Sequence, residues 1–422
     1  MGRLLAAAGL AALAPATPAW AAPPFPEELR IFVLTMGPGD HPFFKFGHNA
    51  IVVQPADGPP VLYNWGTFDF ESPTLVADFL RGRLTYLLST ASVPSTLVEY
   101  QATDRRVDLQ ELDLPMEARR ELAARVATNA LPENRAYLYD YFWDNCSTRV
   151  RDAIDAATGG RLKAAMQTPA RLGYRQHALR LTSDLLWEYL GLHFGLGRAT
   201  DLPATRWQEG FIPQVLRDQL REVRIPGEGG ERPLVKDERV LHQSRRTEPP
   251  PRPPSWTLWF AFTGLALGAL LALLGRLGVH PLARIYFGAL VGLLGLALGL
   301  LSAALVFLWG FTDHRSAHAN ANLWPCPPFV LALVPLSWGL MRGRMVAAQS
   351  ACYIAVGAAV TALVGLAAKA LPGVSQDNLG FLLLLLPVWL GIAYGARCSG
   401  GSSPRARSGG DRPASRSAPR GK

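Results

Sequence analysis

Hydrophobic positions are distributed unevenly, and they divide the chain into a mixed N-terminal part and an apolar C-terminal part. Past residue 254 come five apolar segments that contain almost no charge. Most approach the ~20 residues that a helix needs to cross a bilayer, although the third is shorter and contains Pro327, Pro328 and Pro335. We therefore predict an all-α bundle of five transmembrane helices within residues 255–396. The segments run over about 255–275, 285–309, 325–341, 348–369 and 379–396.

Residues 22–224 combine strand-like alternation with helix-like spacing, which is typical of an α+β domain. Short apolar runs are separated by turns rich in Gly, Pro and Asp, as expected for neighbouring antiparallel strands. Strands are predicted over 29–36, 47–53, 61–66, 84–89 and 105–112, and helices over 74–80, 115–130 and 146–157.

Two terminal segments and one internal segment differ in composition from the rest. Residues 1–21 carry Arg3, a short apolar run and an Ala-Trp-Ala motif, which predicts a secretory signal peptide cleaved after Ala21. Residues 225–254 are rich in Pro, Gly and charge, so we predict a linker there. Residues 397–422 form a basic tail with seven basic residues and one acidic residue.

Membrane topology accounts for the net charge of +9 without nucleic-acid binding. Much of that charge lies in the C-terminal tail, and no nucleic-acid-binding motif accompanies it. Arg276 and Arg284 follow the first apolar segment, and Arg342 and Arg344 follow the third. If the N-terminal domain is exported, the positive-inside rule assigns these loops and the tail to the cytoplasm. We predict a bacterial inner-membrane protein with a periplasmic domain, a cytoplasmic C-terminus and no nucleic-acid partner.

Cys146 is a candidate nucleophile because it stands at the start of a predicted helix. Asp144 or Asn145 before it is a good N-cap residue, and the positive end of a helix dipole stabilises a thiolate. His48, in a predicted strand, is the candidate base. Asn64, on the next strand, can accept a hydrogen bond from the imidazole and orient it. The alternative is a structural Cys146, buried or in a disulfide with Cys326.

Sequence motifs around these residues resemble a known family. They are FGHNA at 46–50, YNWGTFD at 63–69, ENR at 133–135, YDYF at 139–142 and DNCSTR at 144–149. Together they resemble the periplasmic domain of Lnb, the lipoprotein intramolecular transacylase family, over about residues 30–215. The membrane part is similar more loosely, at TDH in 312–314 with Asn320 and Asn322.

The resemblance implies a fold and an activity for residues 22–224. The order of histidine on an early strand and cysteine at a later helix start is similar to permuted papain-like enzymes, including the lecithin-retinol acyltransferase group. It implies Cys146 as nucleophile, His48 as base and Asn64 as orienting residue. The implied reaction moves an acyl chain on a bacterial lipoprotein, or on a phospholipid, through a thioester on the cysteine. No cofactor is expected.

Residues beside these motifs are candidates for substrate binding. In the N-terminal domain they are Tyr63, Trp65, Asn145 and Arg149. In the predicted outer loop between the second and third helices they are Asp313, His314, Asn320 and Asn322. Asp313, His314 and His318 also raise the alternative of a metal site, but the loop lacks helical spacing, so no metal is expected. The aromatic run 137–143 fits either an acyl cleft or ordinary core packing.

Two other functions use the same sequence features. A cysteine hydrolase or amidase of cell-wall peptides would employ the same residues with water as the acceptor. A non-catalytic envelope sensor or binding domain would need Cys146 only as a structural residue.

Overall fold

The computed structural model describes residues 28–400, apart from 69–73, 372 and 375. The predicted signal peptide and the tail past residue 400 lie outside the described residues. The chain divides into two compact units, which are described separately. The first comprises Met1–Phe79, Arg83–Thr182 and Pro203–Pro251, and the second comprises Leu80–Gly82, Ser183–Leu202 and Arg252–Lys422.

The described strands all belong to the first unit. They are β1 (Arg30–Met36), β2 (His48–Gln54), β3 (Val61–Phe68), β4 (Thr85–Ser92), β5 (Val107–Leu112), β6 (Ala136–Leu138), β7 (Arg224–Gly227), β8 (Gly230–Pro233) and β9 (Val235–His242). Seven of them form one antiparallel sheet in the order β6-β4-β3-β2-β1-β5-β9, while β7 and β8 pair as a hairpin. The predicted α+β domain is thus confirmed.

The helices are numbered along the whole chain. They are α1 (Leu75–Arg81), α2 (Val93–Ala102), α3 (Met116–Asn129), α4 (Cys146–Ala157), α5 (Arg161–Ala165), α6 (Tyr174–Leu181), α7 (Leu186–Gly195), α8 (Arg206–Glu209), α9 (Pro213–Glu222), α10 (Thr257–Arg276), α11 (Pro281–Phe311), α12 (Leu333–Met341), α13 (Met345–Ala368) and α14 (Leu379–Gly400).

The central strands β1 and β2 are covered on both faces, which explains their nearly continuous apolar sequences. One face packs against α3, α4 and α9, and the other packs against α2. Cys146 belongs to the first of these cores, so the start of α4 is fixed against the sheet. The first core includes Ile31, Val33, Ile51, Val53, Leu122, Val126, Val150, Ile154, Leu216 and Leu220, and the second includes Phe32, Leu34, Ala50, Val52, Val93 and Leu97.

The segment 225–254 corrects a prediction, because its first part is folded and is not a linker. It contains most of β7, with β8 and β9, and β9 pairs with β5 at one edge of the main sheet. The charged side chains of β9 form ion pairs with neighbouring elements, including Glu238 with Arg221 and Lys236 with Glu111. A charged sequence suits an exposed edge strand, since charge there opposes pairing with another chain.

The second unit contains four described helices long and apolar enough to cross a membrane: α10, α11, α13 and the Leu379–Ser399 part of α14. The prediction of five helices of spanning length is therefore wrong. The third apolar segment forms a short apolar helix over Pro328–Met341, which begins as a 3-10 helix. Fourteen helical residues reach only about 21 Å, against about 30 Å of hydrocarbon. The prolines confine regular helix to the last part of this segment.

The short helix nevertheless runs along much of α11. Ser302 donates a hydrogen bond to the carbonyl of Cys326 at 2.7 Å, while Arg284 donates to the carbonyl of Met341 at 3.1 Å. Residues 326–341 therefore lie antiparallel to α11 between Ser302 and Arg284, a helical length of about 27 Å. Elsewhere in this unit, glycines let α10 and α14 approach closely: a β-carbon at Gly275 would lie 2.1 Å from the α-carbon of Gly395.

Candidate active site

Cys146 is the first residue of α4, and a reciprocal cap fixes the helix start. The side chain of Asn145 accepts a hydrogen bond from the amide of Thr148 at 2.9 Å, and the hydroxyl of Thr148 accepts one from the amide of Asn145 at 2.8 Å. The side-chain amide of Asn145 also donates to the carbonyls of Tyr141 and Phe211. Cys146 thus stands at the positive end of the helix dipole, where a thiolate is stabilised.

His48 is the first residue of β2 and lies opposite Met36 of β1. Nε2 of its ring donates a hydrogen bond to Oδ1 of Asn64 in β3. The ring is also hydrogen-bonded to the side chain of Cys146. The sheet and α4 therefore bring together three side chains that are separated by up to 98 residues in sequence (146 − 48 = 98).

Gly66 marks the place where the histidine and the cysteine meet β3. A β-carbon there would lie 3.5 Å from Cε1 of His48 and 3.7 Å from Cβ of Cys146. Gly66 has a φ of +107°, which glycine tolerates and other residues rarely adopt, and the register with β4 shifts at this position. The bulge keeps a side chain away from the reactive pair.

The electrostatic environment favours an ion pair between Cys146 and His48. Burial alone would raise the pKa of Cys146, but the charge of His48, its hydrogen bond and the main-chain amides of Asn49 and Ser147 outweigh burial and lower that pKa. Burial alone would lower the pKa of His48, but the charge of Cys146 and hydrogen bonds with Cys146 and Asn64 raise it. Both shifts favour thiolate and imidazolium, the reactive form of a cysteine nucleophile.

Comparison with known proteins finds a family match for the region that contains this site. Residues 16–178 match the family model of the Lnb N-terminal periplasmic domain. The match supports an Lnb-type family for this region. No curated protein and no solved structure matches the chain. Together with four spanning-length helices, the match indicates a membrane protein with a periplasmic Lnb domain.

The state of the four cysteine thiols tests the alternative of a structural disulfide between Cys146 and Cys326. Cys146, Cys326, Cys352 and Cys398 all have free thiols. The disulfide between Cys146 and Cys326, considered from the sequence, is therefore not formed. Within the Lnb domain, Cys146 remains available for chemistry.

The predicted substrate-binding residues of the Lnb domain mostly have structural partners. Trp65 is buried, and its indole donates a hydrogen bond to Asn129. The amide of Asn145 is used by the cap described above. The guanidinium of Arg149 pairs with Asp144 at 2.5 Å. Tyr63 is half-buried and packs against the core that contains Cys146.

Arg149 also lies over an aromatic ring. Its guanidinium carbon is 4.4 Å from the ring centroid of Tyr137. This side chain remains about one third exposed. Of the four residues predicted to bind substrate in the Lnb domain, Arg149 and Tyr63 keep exposed surface, and Trp65 and Asn145 are buried.

Asn320 and Asn322, predicted to bind substrate, cap a helix in the second unit. The amide of Asn320 donates to the carbonyls of Phe194, Gly195 and Leu196, and the amide of Asn322 donates to that of Phe194. These carbonyls belong to the end of α7 and the residue after it, where a helix leaves acceptors unpaired. The contacts give both asparagines a structural role.

Asp313 and His314 lie in the same unit, close to the end of α1. The amide of Asp313 donates to the carbonyl of Arg81 at 2.7 Å, and a β-carbon at Gly82 would lie 2.7 Å from the amide of His314. Nε2 of His318 hydrogen-bonds the carbonyl of Thr312 at 2.9 Å. Among the described residues, no group of three or more His, Cys, Asp or Glu side chains could hold a metal ion.

Asn49 and Ser147 belong to the site, but neither was singled out by the sequence analysis. Besides their main-chain contacts with the sulfur, the amide of Asn49 donates to Oγ of Ser147 at 3.0 Å, and that hydroxyl donates to the carbonyl of Gly210 at 2.8 Å. This chain ties β2 to the start of α4. One signal was present in the sequence: Asn49 alternates with Ile51 and Val53, which are core positions.

Proposed function

We propose that this protein is a membrane-bound cysteine acyltransferase that moves an acyl chain on a bacterial lipoprotein through a thioester intermediate. The observation that carries the proposal is the hydrogen-bonded series of Cys146, His48 and Asn64 at the capped start of α4, within a region of the Lnb family. Nucleophile, base and orienting residue have the order expected of a cysteine enzyme. We infer a permuted papain-like fold for the same reason.

In the proposed first half-reaction, the thiolate of Cys146 attacks the carbonyl carbon of a glyceryl ester. The oxyanion of the tetrahedral intermediate would lie near the main-chain amides of Asn49 and Ser147, which donate toward the sulfur. The imidazolium of His48 gives its proton to the departing glyceryl oxygen. The products are a thioester on Cys146 and a lyso form of the donor.

In the second half-reaction, an amine attacks the thioester carbonyl, and neutral His48 accepts the proton released by the amine. The carbon–sulfur bond breaks, an amide forms, and the thiolate–imidazolium pair is restored. The N-terminal amine of the diacylglyceryl-modified cysteine of a lipoprotein is the proposed acceptor. Splitting the transfer into two displacements lowers the barrier that a direct transfer would face.

The test uses the purified full-length protein in detergent with a synthetic diacylglyceryl lipopeptide. We expect mass spectrometry to detect an N-acylated lyso-lipopeptide of unchanged total mass, and an acyl adduct on Cys146 when the peptide amine is blocked. Released fatty acid without N-acylation would instead indicate a hydrolase. Cleavage of a cell-wall peptide with no reaction of the lipopeptide would reject the transferase.

We further propose that the C-terminus is cytoplasmic, opposite the periplasmic domain. Two contacts support this: Gln376 donates to Asn320 at 3.0 Å, and Asn320 donates to Leu196. The loops before residue 326 and after residue 368 therefore lie at one end of the second unit. α14 begins after this second loop, so the chain leaves that end again toward the opposite one.

This topology predicts the behaviour of reporter fusions. Fused after Lys422, green fluorescent protein should fluoresce, whereas alkaline phosphatase, which folds only outside the cytoplasm, should be inactive. The matched control is a fusion of each reporter after Val374, in the loop before α14, where the two results should be reversed. An active phosphatase after Lys422 would reject the cytoplasmic C-terminus.

A further inference from the structure

A continuous row of aromatic rings lies in the Lnb domain. We call it the aromatic strip, and it consists of Phe43, Phe68, Tyr86, Tyr139 and Tyr141. Successive ring centroids are 5.9, 4.4, 4.1 and 5.8 Å apart in that order. These residues come from the segment after β1, from β3 and β4, and from the segment after β6. The fold thus assembles a feature that no single stretch of sequence encodes.

The aromatic run 137–143 is divided between two environments. Tyr139 and Tyr141 join the strip, whereas Phe142 and Trp143 contact Tyr174 in an interior cluster. Phe142 is buried, but Tyr141 is 37% exposed. Core packing therefore explains only one side of the run, and the other side requires a different explanation.

The strip adjoins the reactive pair. Phe68 is two residues from Gly66 in β3. A β-carbon at Gly66 would lie 3.5 Å from Cε1 of His48 and 3.7 Å from Cβ of Cys146. From there the strip leads outward to Phe43, which is 57% exposed. An apolar path therefore connects the surface with the nucleophile.

We propose that the aromatic strip binds the hydrocarbon chain of the acyl group and holds its carbonyl beside Cys146. This inference rests on the proposed function, since a thiol that forms thioesters needs an acyl donor. The rings offer apolar faces, and their polar groups are limited to the hydroxyls of the three tyrosines, which suits a hydrocarbon chain better than a peptide. A chain on the strip would end at Gly66, where the absence of a side chain leaves room for the ester.

The test measures alkylation of Cys146 and does not require acyl transfer. Full-length protein in detergent is treated with N-ethylmaleimide or N-hexadecylmaleimide, and the rate of adduct formation on the Cys146 peptide is followed by mass spectrometry. For Phe43→Ala/Tyr141→Ala, we expect the ratio of hexadecyl to ethyl rates to fall by about tenfold, the effect of losing contact with about two methylene groups. The ethyl rate should stay within about twofold, because a short reagent does not reach these rings.

Two controls make the result specific. Val240→Ala removes an exposed apolar side chain from β9, at the opposite edge of the sheet from β6, and should leave the ratio unchanged. Phe43→Leu/Tyr141→Leu keeps apolar surface and should restore most of the ratio. Partition of the long reagent into micelles is the same for every variant.

The outcomes separate this inference from the proposed function. A ratio that is unchanged in the double alanine variant would overturn the strip as an acyl site, even if lipopeptide transfer is observed. A ratio that falls as expected would support the strip, even if the lipopeptide is not a substrate. If the double variant does not fold, Phe43→Ala alone tests the point, because Phe43 is largely exposed.

Discussion

Replacing Cys146 with alanine is expected to reduce lipopeptide acyl transfer by at least about 10³-fold, because the proposed thioester forms on its sulfur. His48→Ala should have an effect of similar size. The double variant Cys146→Ala/His48→Ala should lose little more than either single variant, since residues that act as one unit are strongly non-additive. Initial rates of N-acylation by the full-length protein in detergent measure all three.

The matched control for this prediction is Cys352→Ala. Cys352 is also a free cysteine, but it lies in α13 of the second unit. Its replacement should leave the rate within about twofold of wild type. Thermal unfolding should show that Cys146→Ala remains folded, because only one sulfur is removed from the core. Transfer by Cys146→Ala at more than about a tenth of the wild-type rate would refute the thioester mechanism.

The start of α4 could be predicted because its determinants are local. An N-cap residue next to the cysteine and helical spacing after it were sufficient, and the helix begins at Cys146 as predicted. The hydrogen bond between His48 and Asn64 could also be anticipated, because consecutive strands usually pair. β2 and β3 pair in this way. Their catalytic roles stay predictions.

Contacts between distant parts of the chain could not be predicted. Asn320 contacts carbonyls more than 120 residues earlier in the chain, and no local pattern distinguishes a helix cap made in this way from a ligand-binding side chain. The aromatic strip has the same origin. Tyr139 could be recognised as part of an aromatic run, but its neighbours Tyr86 and Phe68 follow from the pairing of β4 with β6 and with β3.

Two segments were predicted wrongly, because composition is a weak guide to strand pairing and to helix length. β9 has the charge of a linker, yet its backbone hydrogen-bonds β5, and its charged side chains find partners. Residues 325–341 have the hydropathy of a spanning helix, but prolines replace its first turns by extended and 3-10 backbone. Hydropathy detects the apolar character of a segment, whereas helix length depends on where prolines stand.

The second prediction concerns pH, and it follows from the opposite pKa shifts of the reactive pair. Because the pKa of Cys146 is lowered, its thiolate persists below the pH at which an ordinary thiol becomes protonated, and reactivity is lost only as the pH falls through the lowered value. Because the pKa of His48 is raised, the imidazolium persists above the usual range. Acyl transfer should therefore be greatest between these two values, where both groups are charged.

His48→Ala should move the alkylation profile of Cys146 to higher pH. Without the positive charge and hydrogen bond of His48, burial dominates, and burial raises the pKa of a thiol. At pH 6 a thiol with an ordinary pKa of about 8.5 is only about 0.3% ionised. The rate of reaction with N-ethylmaleimide at pH 6 should thus fall by on the order of 10- to 100-fold relative to wild type. Rates measured from pH 5 to 10 give the shift directly.

Asn64→Ala provides the graded control for this profile. The hydrogen bond with Asn64 contributes to the raised pKa of His48, so removing it should lower that pKa. The imidazolium should then lose its proton at a lower pH than in the wild type. The acid limb of Cys146 alkylation should move less than in His48→Ala, because His48 still faces the sulfur. An unchanged alkylation profile in His48→Ala would mean that the histidine does not hold the thiolate, and the helix dipole with the amides of Asn49 and Ser147 would then account for the lowered pKa.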